Sequence, residues 1–237
     1  MSDNEIIENE EQEDYIEQEE TESGPSSFNL FVDGIKKWLN SQNKALVYGL
    51  TFVIVAVIAY LSYQYFYKMP LEKEALGAIY ITQENFDNDS FALVVKDAPK
   101  LAEKYSGTKS GELASYMAGA SYLNLGNYTK AIEYLKDVDF DDQIMKYQAT
   151  GLLGDAYIEN KNLDEGLKNY LKAAKNAKTD FSEVWWYKKA ARVYEKKGDW
   201  KNALDVYEKL KKDHKDVEGT QDIDKYITRA KAKLGEY

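Results

Sequence analysis

Gly119-Ala-Ser-Tyr-Leu-Asn-Leu-Gly-Asn-Tyr-Thr-Lys-Ala-Ile-Glu-Tyr-Leu, residues 119–135, returns twice along the chain. Its second form is Gly154-Asp-Ala-Tyr-Ile-Glu-Asn-Lys-Asn-Leu-Asp-Glu-Gly-Leu-Lys-Asn-Tyr. Its third is Ala191-Arg-Val-Tyr-Glu-Lys-Lys-Gly-Asp-Trp-Lys-Asn-Ala-Leu-Asp-Val-Tyr. Tyr122, Tyr157 and Tyr194 therefore lie 35 and 37 residues apart. Small residues recur first at Gly119, Gly154 and Ala191, then at Ala131, Gly166 and Ala203, where bulk would push two crossing helices apart. Tyr128, Leu163 and Trp200 fill the next large position, and Leu135, Tyr170 and Tyr207 the one after. Gly126 and Gly198 stand where a left-handed cap ends the first helix of a unit. The middle unit has Lys161-Asn162 there, and Asn162 is the expected substitute. A self-similarity of this period predicts an all-α solenoid in which each helix pair buries its apolar face on the next.

Outward from the repeats, the rest of residues 71–237 also reads as helix. Residues 71–110 supply a divergent leading pair, broken near Asp87-Asn-Asp-Ser and ended at Tyr105-Ser-Gly-Thr. Residues 218–234 form a closing helix over the last apolar face. Upstream, Ala45 to Tyr67 is a run of 23 residues without a charge, longer at about 1.5 Å per residue than the roughly 30 Å hydrocarbon layer. Tyr60, Tyr63, Tyr65 and Tyr67 cluster at its end, as at a membrane interface. Residues 45–67 are thus expected to form a single transmembrane helix. In residues 28–44, Phe28, Phe31, Ile35 and Trp38 share one helical face with Lys36 and Lys37 on another, the pattern of an amphipathic juxtamembrane segment. Residues 1–27 are expected to be a disordered acidic tail.

Charge is unevenly divided. Residues 1–35 carry −12, residues 36–70 carry +4 and residues 71–237 carry −2, within a total of −10. The folded part is nearly neutral, so it lacks the basic field that nucleic-acid binding requires. Lys36, Lys37 and Lys44 before the apolar run, against Lys68 and Lys73 after it, favour a cytoplasmic N-terminus. That orientation puts residues 71–237 outside the cytoplasm.

Chemistry has few footholds. The chain has no cysteine, which removes disulfides and thiolate metal sites. No phosphate-binding Gly-rich loop, His-Glu-x-x-His or Ser–His pair occurs. The lone histidine, His214, lies in Lys-Lys-Asp-His-Lys-Asp and reads as a solvated loop residue. Asp139, Asp141 and Asp142 read as a solvated turn between repeats. No enzymatic activity, cofactor, metal or small-molecule substrate is expected.

The three aligned units resemble the tetratricopeptide repeat, with its small–x2–Tyr, Gly–x–aromatic and x2–Ala positions at a period of about 34 residues. The resemblance covers about 112–213 and implies a concave groove lined by the first helix of each unit, used to bind other polypeptides. Groove-facing positions are then Leu113, Tyr116, Ala120 and Leu123; Gln148, Gly151, Asp155 and Ile158; and Trp185, Lys188, Arg192 and Glu195. Of these, Leu113, Tyr116, Leu123, Gln148, Asp155, Ile158, Trp185, Lys188 and Arg192 are the candidate partner-binding residues. The face runs from an aromatic beginning to a basic, tryptophan-bearing end. Members that grip a C-terminal carboxylate use a Lys/Asn set that Gln148, Gly151 and Asp155 do not reproduce.

The whole arrangement of charged N-terminus, one uncleaved span and repeat domain is similar to the ancillary subunit of the bacterial Sec translocon (the YfgM-like proteins). The Lys-, Asn- and Tyr-rich composition resembles tetratricopeptide proteins of the Bacteroidetes group. This resemblance implies a bacterial inner-membrane protein with a periplasmic repeat domain, and partners among Sec translocon subunits, membrane-anchored chaperones or emerging chains. Two other functions fit the same residues: a structural scaffold of an envelope or division complex, and a cytoplasmic-facing adaptor with inverted topology.

Overall fold

The computed structural model describes residues 27–41 and 44–236. The acidic tail, bar residue 27, lies outside them. The chain divides into two units, residues 1–64 and 65–237.

In the first unit, α1 (Ser27–Ser41) leaves Phe28, Phe31, Ile35 and Trp38 exposed on one helical face. Lys36 pairs with Asp33 at 3.5 Å. α2 (Lys44–Tyr63) is apolar on all sides. Among the described residues one helix is long and apolar enough to cross a membrane, and its apolar window is wholly exposed. A π-helical turn, Gln64–Lys68, follows α2.

The second unit is nine helices among the described residues: α3 (Met69–Asp87), α4 (Phe91–Lys104), α5 (Lys109–Asn124), α6 (Tyr128–Leu135), α7 (Gln143–Glu159), α8 (Leu163–Asn176), α9 (Asp180–Lys196), α10 (Trp200–Asp213) and α11 (Ile223–Leu234). Each packs chiefly on its neighbours in the chain, as in a solenoid. Four apolar clusters, centred on Val94, Leu135, Tyr170 and Tyr207, mark successive interfaces, so residues 65–237 hold a continuous core of their own.

The repeat register follows from the crossings. A Cβ built on Gly154 would lie 2.7 Å from Tyr170 Cδ1 and 3.2 Å from the Gly166 carbonyl oxygen. One on Gly119 would lie 2.5 Å from Leu135 Cγ. Bulk is excluded at these points by the facing helix, which is why small residues recur there.

Turns within the pairs share one geometry. Asp89, Gly126, Lys161 and Gly198 all have positive φ (54°, 76°, 66° and 77°), each two residues before a second helix. The residue between caps that helix in three pairs: Asn127, Asn162 and Asp199 accept hydrogen bonds from the backbone N–H groups of Lys130, Glu165 and Asn202. Asn162 is therefore an N-cap, and Lys161, not Asn162, takes the left-handed conformation. The leading pair α3–α4 is a fourth unit in the same register, with Asp89 for the glycine and buried Thr82 and Val94 at the crossing.

His214 is not a solvated loop residue. It ends α10 with 9 % exposure. Its Nδ1 lies 3.6 Å from Asp180 and its Nε2 3.5 Å from Glu183, both in the first turn of α9. The ring thus bridges the beginning and end of the last repeat. These three residues could bring ligand atoms within 4.8 Å of one another, a cluster that the sequence did not reveal. Lys209 already stands 3.4 Å from the Glu183 carboxylate and offsets its charge.

Candidate partner-binding groove

The expected groove residues divide into two groups. Leu113 packs on the cluster around Val94, and Leu123 on that around Leu135. Ile158 fills the hole left by Gly166, where a Cβ would lie 2.3 Å from Ile158 Cδ1. Gly151 lies beneath Trp186, its missing Cβ 2.3 Å from the indole, and Ala120 is buried. These five hold repeats together, because the inner face of a tight helix stack is consumed by the next pair.

Asp155 is likewise committed within the fold. The Tyr170 hydroxyl donates to it, and Lys189 donates to both carboxylate oxygens, at 2.6 and 2.8 Å. Burial first, and then the adjacent Asp155 charge, push the Tyr170 phenol far above its ordinary value, so it remains a donor. Glu195 is held by Arg229 at 2.6 and 2.7 Å and by the Tyr207 hydroxyl at 3.2 Å. The α9 carboxylate thereby ties the closing helix to the last repeat.

The remaining five expected residues, Tyr116, Gln148, Trp185, Lys188 and Arg192, line open surface. Tyr116 and Gln148 meet Tyr147, Leu152, Phe181, Ser182, Trp185 and Trp186 around a cleft of about 260 Å³. This cleft is formed by the first helices of three successive repeats. Tyr116 is braced edge-to-face by Phe86 and Phe140, with ring centroids 6.3 and 5.6 Å away, and burial raises its phenol pKa. Trp185, half exposed at 51 %, stacks on Phe181 at 6.5 Å. Trp186, one residue on, turns into the core and stacks on Tyr170 at 6.0 Å.

Phe181 and Trp185 also form one wall of a second cavity of about 450 Å³, lined by Val184, Lys188, Lys189, Arg192 and the loop bearing Glu218, Gly219 and Gln221. The cations are held in place. Lys188 donates to the Gly219 carbonyl and lies 3.2 Å from Asp222. Arg192 donates to the Tyr226 hydroxyl at 3.3 Å, the foremost reason its guanidinium pKa rises. Lys189 stands over the Trp186, Trp185 and Tyr170 rings at 5.0, 5.5 and 5.5 Å. Arg192 is left facing a neutral phenol, so its charge is the least offset of the three.

Sequence reasoning missed Phe181 and Lys189. The signal was present, since Phe181, Trp185 and Lys189 fall at i, i+4 and i+8 and so share a helical face.

Two segments of the stack match family models. Residues 114–138, covering most of α5 and all of α6, match the tetratricopeptide repeat. Residues 187–218, from the second half of α9 past the end of α10, match a second model of the same repeat. No curated protein matches the chain. The helix pairs, their crossings and these matches agree on tetratricopeptide repeats in these two segments, and such repeats imply a protein–protein interaction module.

Proposed function

We propose that this chain is a membrane-anchored adaptor whose repeat domain holds a partner polypeptide in the cleft between α5, α7 and α9. The observation that carries the reading is the shared Phe181–Trp185 wall. An aromatic chamber lies on one side of it and a cationic chamber on the other. Such a surface suits a segment with an apolar anchor followed by an acidic residue. The anchor is the apolar helix beginning at α2, with the N-terminus cytoplasmic and the repeats periplasmic. The similarity in architecture to the ancillary Sec translocon subunits favours translocon subunits, chaperones or emerging chains as the partner.

Two measurements test this. Protease added to intact spheroplasts should degrade residues 71–237; their protection would reverse the topology and remove the translocon reading. Full-length chain purified from membranes should carry Sec subunits with it. Trp185→Ala should lower their recovery at least roughly tenfold, about 1.4 kcal/mol, with the melting temperature unchanged. Undiminished recovery from a folded Trp185→Ala variant would move the binding surface elsewhere.

A further inference from the structure

The histidine at the end of α10 is held on both sides of its main chain. The His214 N–H donates to the Leu210 carbonyl at 3.0 Å, and its own carbonyl accepts from the Thr220 hydroxyl at 3.0 Å. The imidazole is therefore presented from a fixed backbone, with 9 % exposure, toward the first turn of α9. Asp180 and Glu183 stand in that turn at i and i+3, so both carboxylates reach the ring from one helical face.

Neither ring nitrogen makes a hydrogen bond to the described residues. Nδ1 lies 3.6 Å from Asp180 and Nε2 3.5 Å from Glu183. Both separations exceed the roughly 2.7–3.2 Å of a formed N–H···O bond. A neutral imidazole carries one N–H, so it can satisfy one of these two carboxylates and turns a lone pair on the other. Two facing electron pairs across such a gap call for a cation between them.

The distance suits a particular kind of cation. Two ligand atoms roughly 2.0–2.1 Å from a tetrahedral zinc lie about 3.4 Å apart. The Nε2–Glu183 separation already has that value. An imidazole nitrogen with a carboxylate selects zinc-like ions over calcium and magnesium, which take oxygen ligands. Lys209 marks the same place as one for positive charge, since its ammonium stands 3.4 Å from the Glu183 oxygen that faces Nε2. It is loosely held there and rests over the Tyr187 ring at 4.1 Å, onto which it can withdraw. Asp180, on the other edge of the ring, is exposed and leaves the site open to solution.

We propose that His214 Nε2 and the Glu183 carboxylate bind a zinc-like divalent ion, with Asp180 accepting the Nδ1–H and water completing the shell. A carboxylate on the second nitrogen is the usual means of fixing the tautomer and direction of a metal-binding imidazole. The ion clamps the beginning of α9 to the end of α10 and so closes the last repeat.

The chain has one histidine and no cysteine, so no second imidazole or thiolate competes. Full chain labelled with nitrogen-15 histidine, purified in detergent without a polyhistidine tag, should bind zinc at one saturable site. The Nε2 resonance should move to that of a coordinated nitrogen while Nδ1 keeps its proton, and magnesium should move neither. Glu183→Gln should raise the zinc dissociation constant at least roughly tenfold. Lys209→Met, which removes the competing ammonium, should lower it roughly threefold. Zinc should raise the melting temperature of the unaltered chain and not that of His214→Ala. An Nε2 resonance that zinc leaves in place, a shift confined to Nδ1, or two protonated ring nitrogens with zinc present overturns the proposal. So does a dissociation constant that Glu183→Gln leaves unchanged or that Lys209→Met fails to lower.

Discussion

Glycine at the α7–α8 crossing is hemmed in by the facing helix. Gly154 faces the Tyr170 ring and the Gly166 backbone, and neither can retreat. The ring is fixed by its bond to Asp155 and by Trp186 stacked against it, and Gly166 is main chain. Gly154→Leu should therefore destabilise residues 65–237 by about 1–3 kcal/mol or more, seen as a lowered melting temperature. A wild-type melting temperature would mean that α7 and α8 do not cross there. Trp185 offers the contrast one helix on. Its ring is half exposed and rests on Phe181, so its loss should be felt in binding and not in the core.

At the level of the helix pair, two turns, at Asp89 and Lys161, carry a side chain where their equivalents have glycine. Lys161 adopts the left-handed conformation that Gly126 and Gly198 take without a Cβ. A side chain in that region costs roughly 1–2 kcal/mol. Lys161→Gly should accordingly stabilise the protein by about 1 kcal/mol in chemical denaturation, the gain trimmed by the greater freedom of glycine in the unfolded chain. A loss of stability would show that the lysine side chain contributes more than its backbone costs.

The same turns explain what the sequence could disclose. The three central units were legible because glycine and alanine at the crossings, and tyrosine beside them, are forced by close packing and repeat at fixed offsets. The leading pair was legible as helices but not as a repeat unit, since Thr82, Val94 and Asp89 satisfy the same geometry with different residue types. Groove positions were harder still. Helical spacing says which residues share a face, but Leu113, Leu123 and Ile158 are half-buried against neighbouring helices. Asp155 reads as a groove residue because Lys189 and Tyr170, its partners, are 34 and 15 residues away.

Across the whole repeat domain, two α3 carboxylates fasten the N-terminal end, Glu74 to Lys104 and Tyr105 and Glu72 to the start of α5. Glu72 of α3 accepts from the Lys109 N–H at 2.7 Å, the Ser110 N–H at 3.0 Å and the Ser110 hydroxyl at 2.7 Å, at the start of α5. Burial pushes its carboxyl up, but the Ser110 and Lys109 hydrogen bonds and the Lys109 charge together bring it below the ordinary glutamate value. A carboxyl lowered in the folded state contributes stability above the unfolded glutamate range, and that stability is lost as pH falls through the folded value. Acidification below about pH 4 should thus loosen the α3–α5 contact, read as faster hydrogen exchange in α3. Glu72→Gln should flatten that part of the pH profile, and an identical profile in the variant would assign the acid sensitivity to other carboxylates.

Lys188 has a consequence at the opposite end. Its ammonium is both a wall of the cationic chamber and the strap on the loop that leads into α11, through the Gly219 carbonyl and Asp222. Chamber occupancy and closure of the last helix are then two faces of one equilibrium, and by reciprocity each biases the other by the same factor. An acidic segment that draws Lys188 away from Asp222 works against the strap, so its affinity is set partly by how readily α11 lifts. A segment that binds Arg192 and leaves Lys188 in place adds to closure, and slows exchange of the α11 amides. The terminal helix can therefore discriminate between ligands that it never touches.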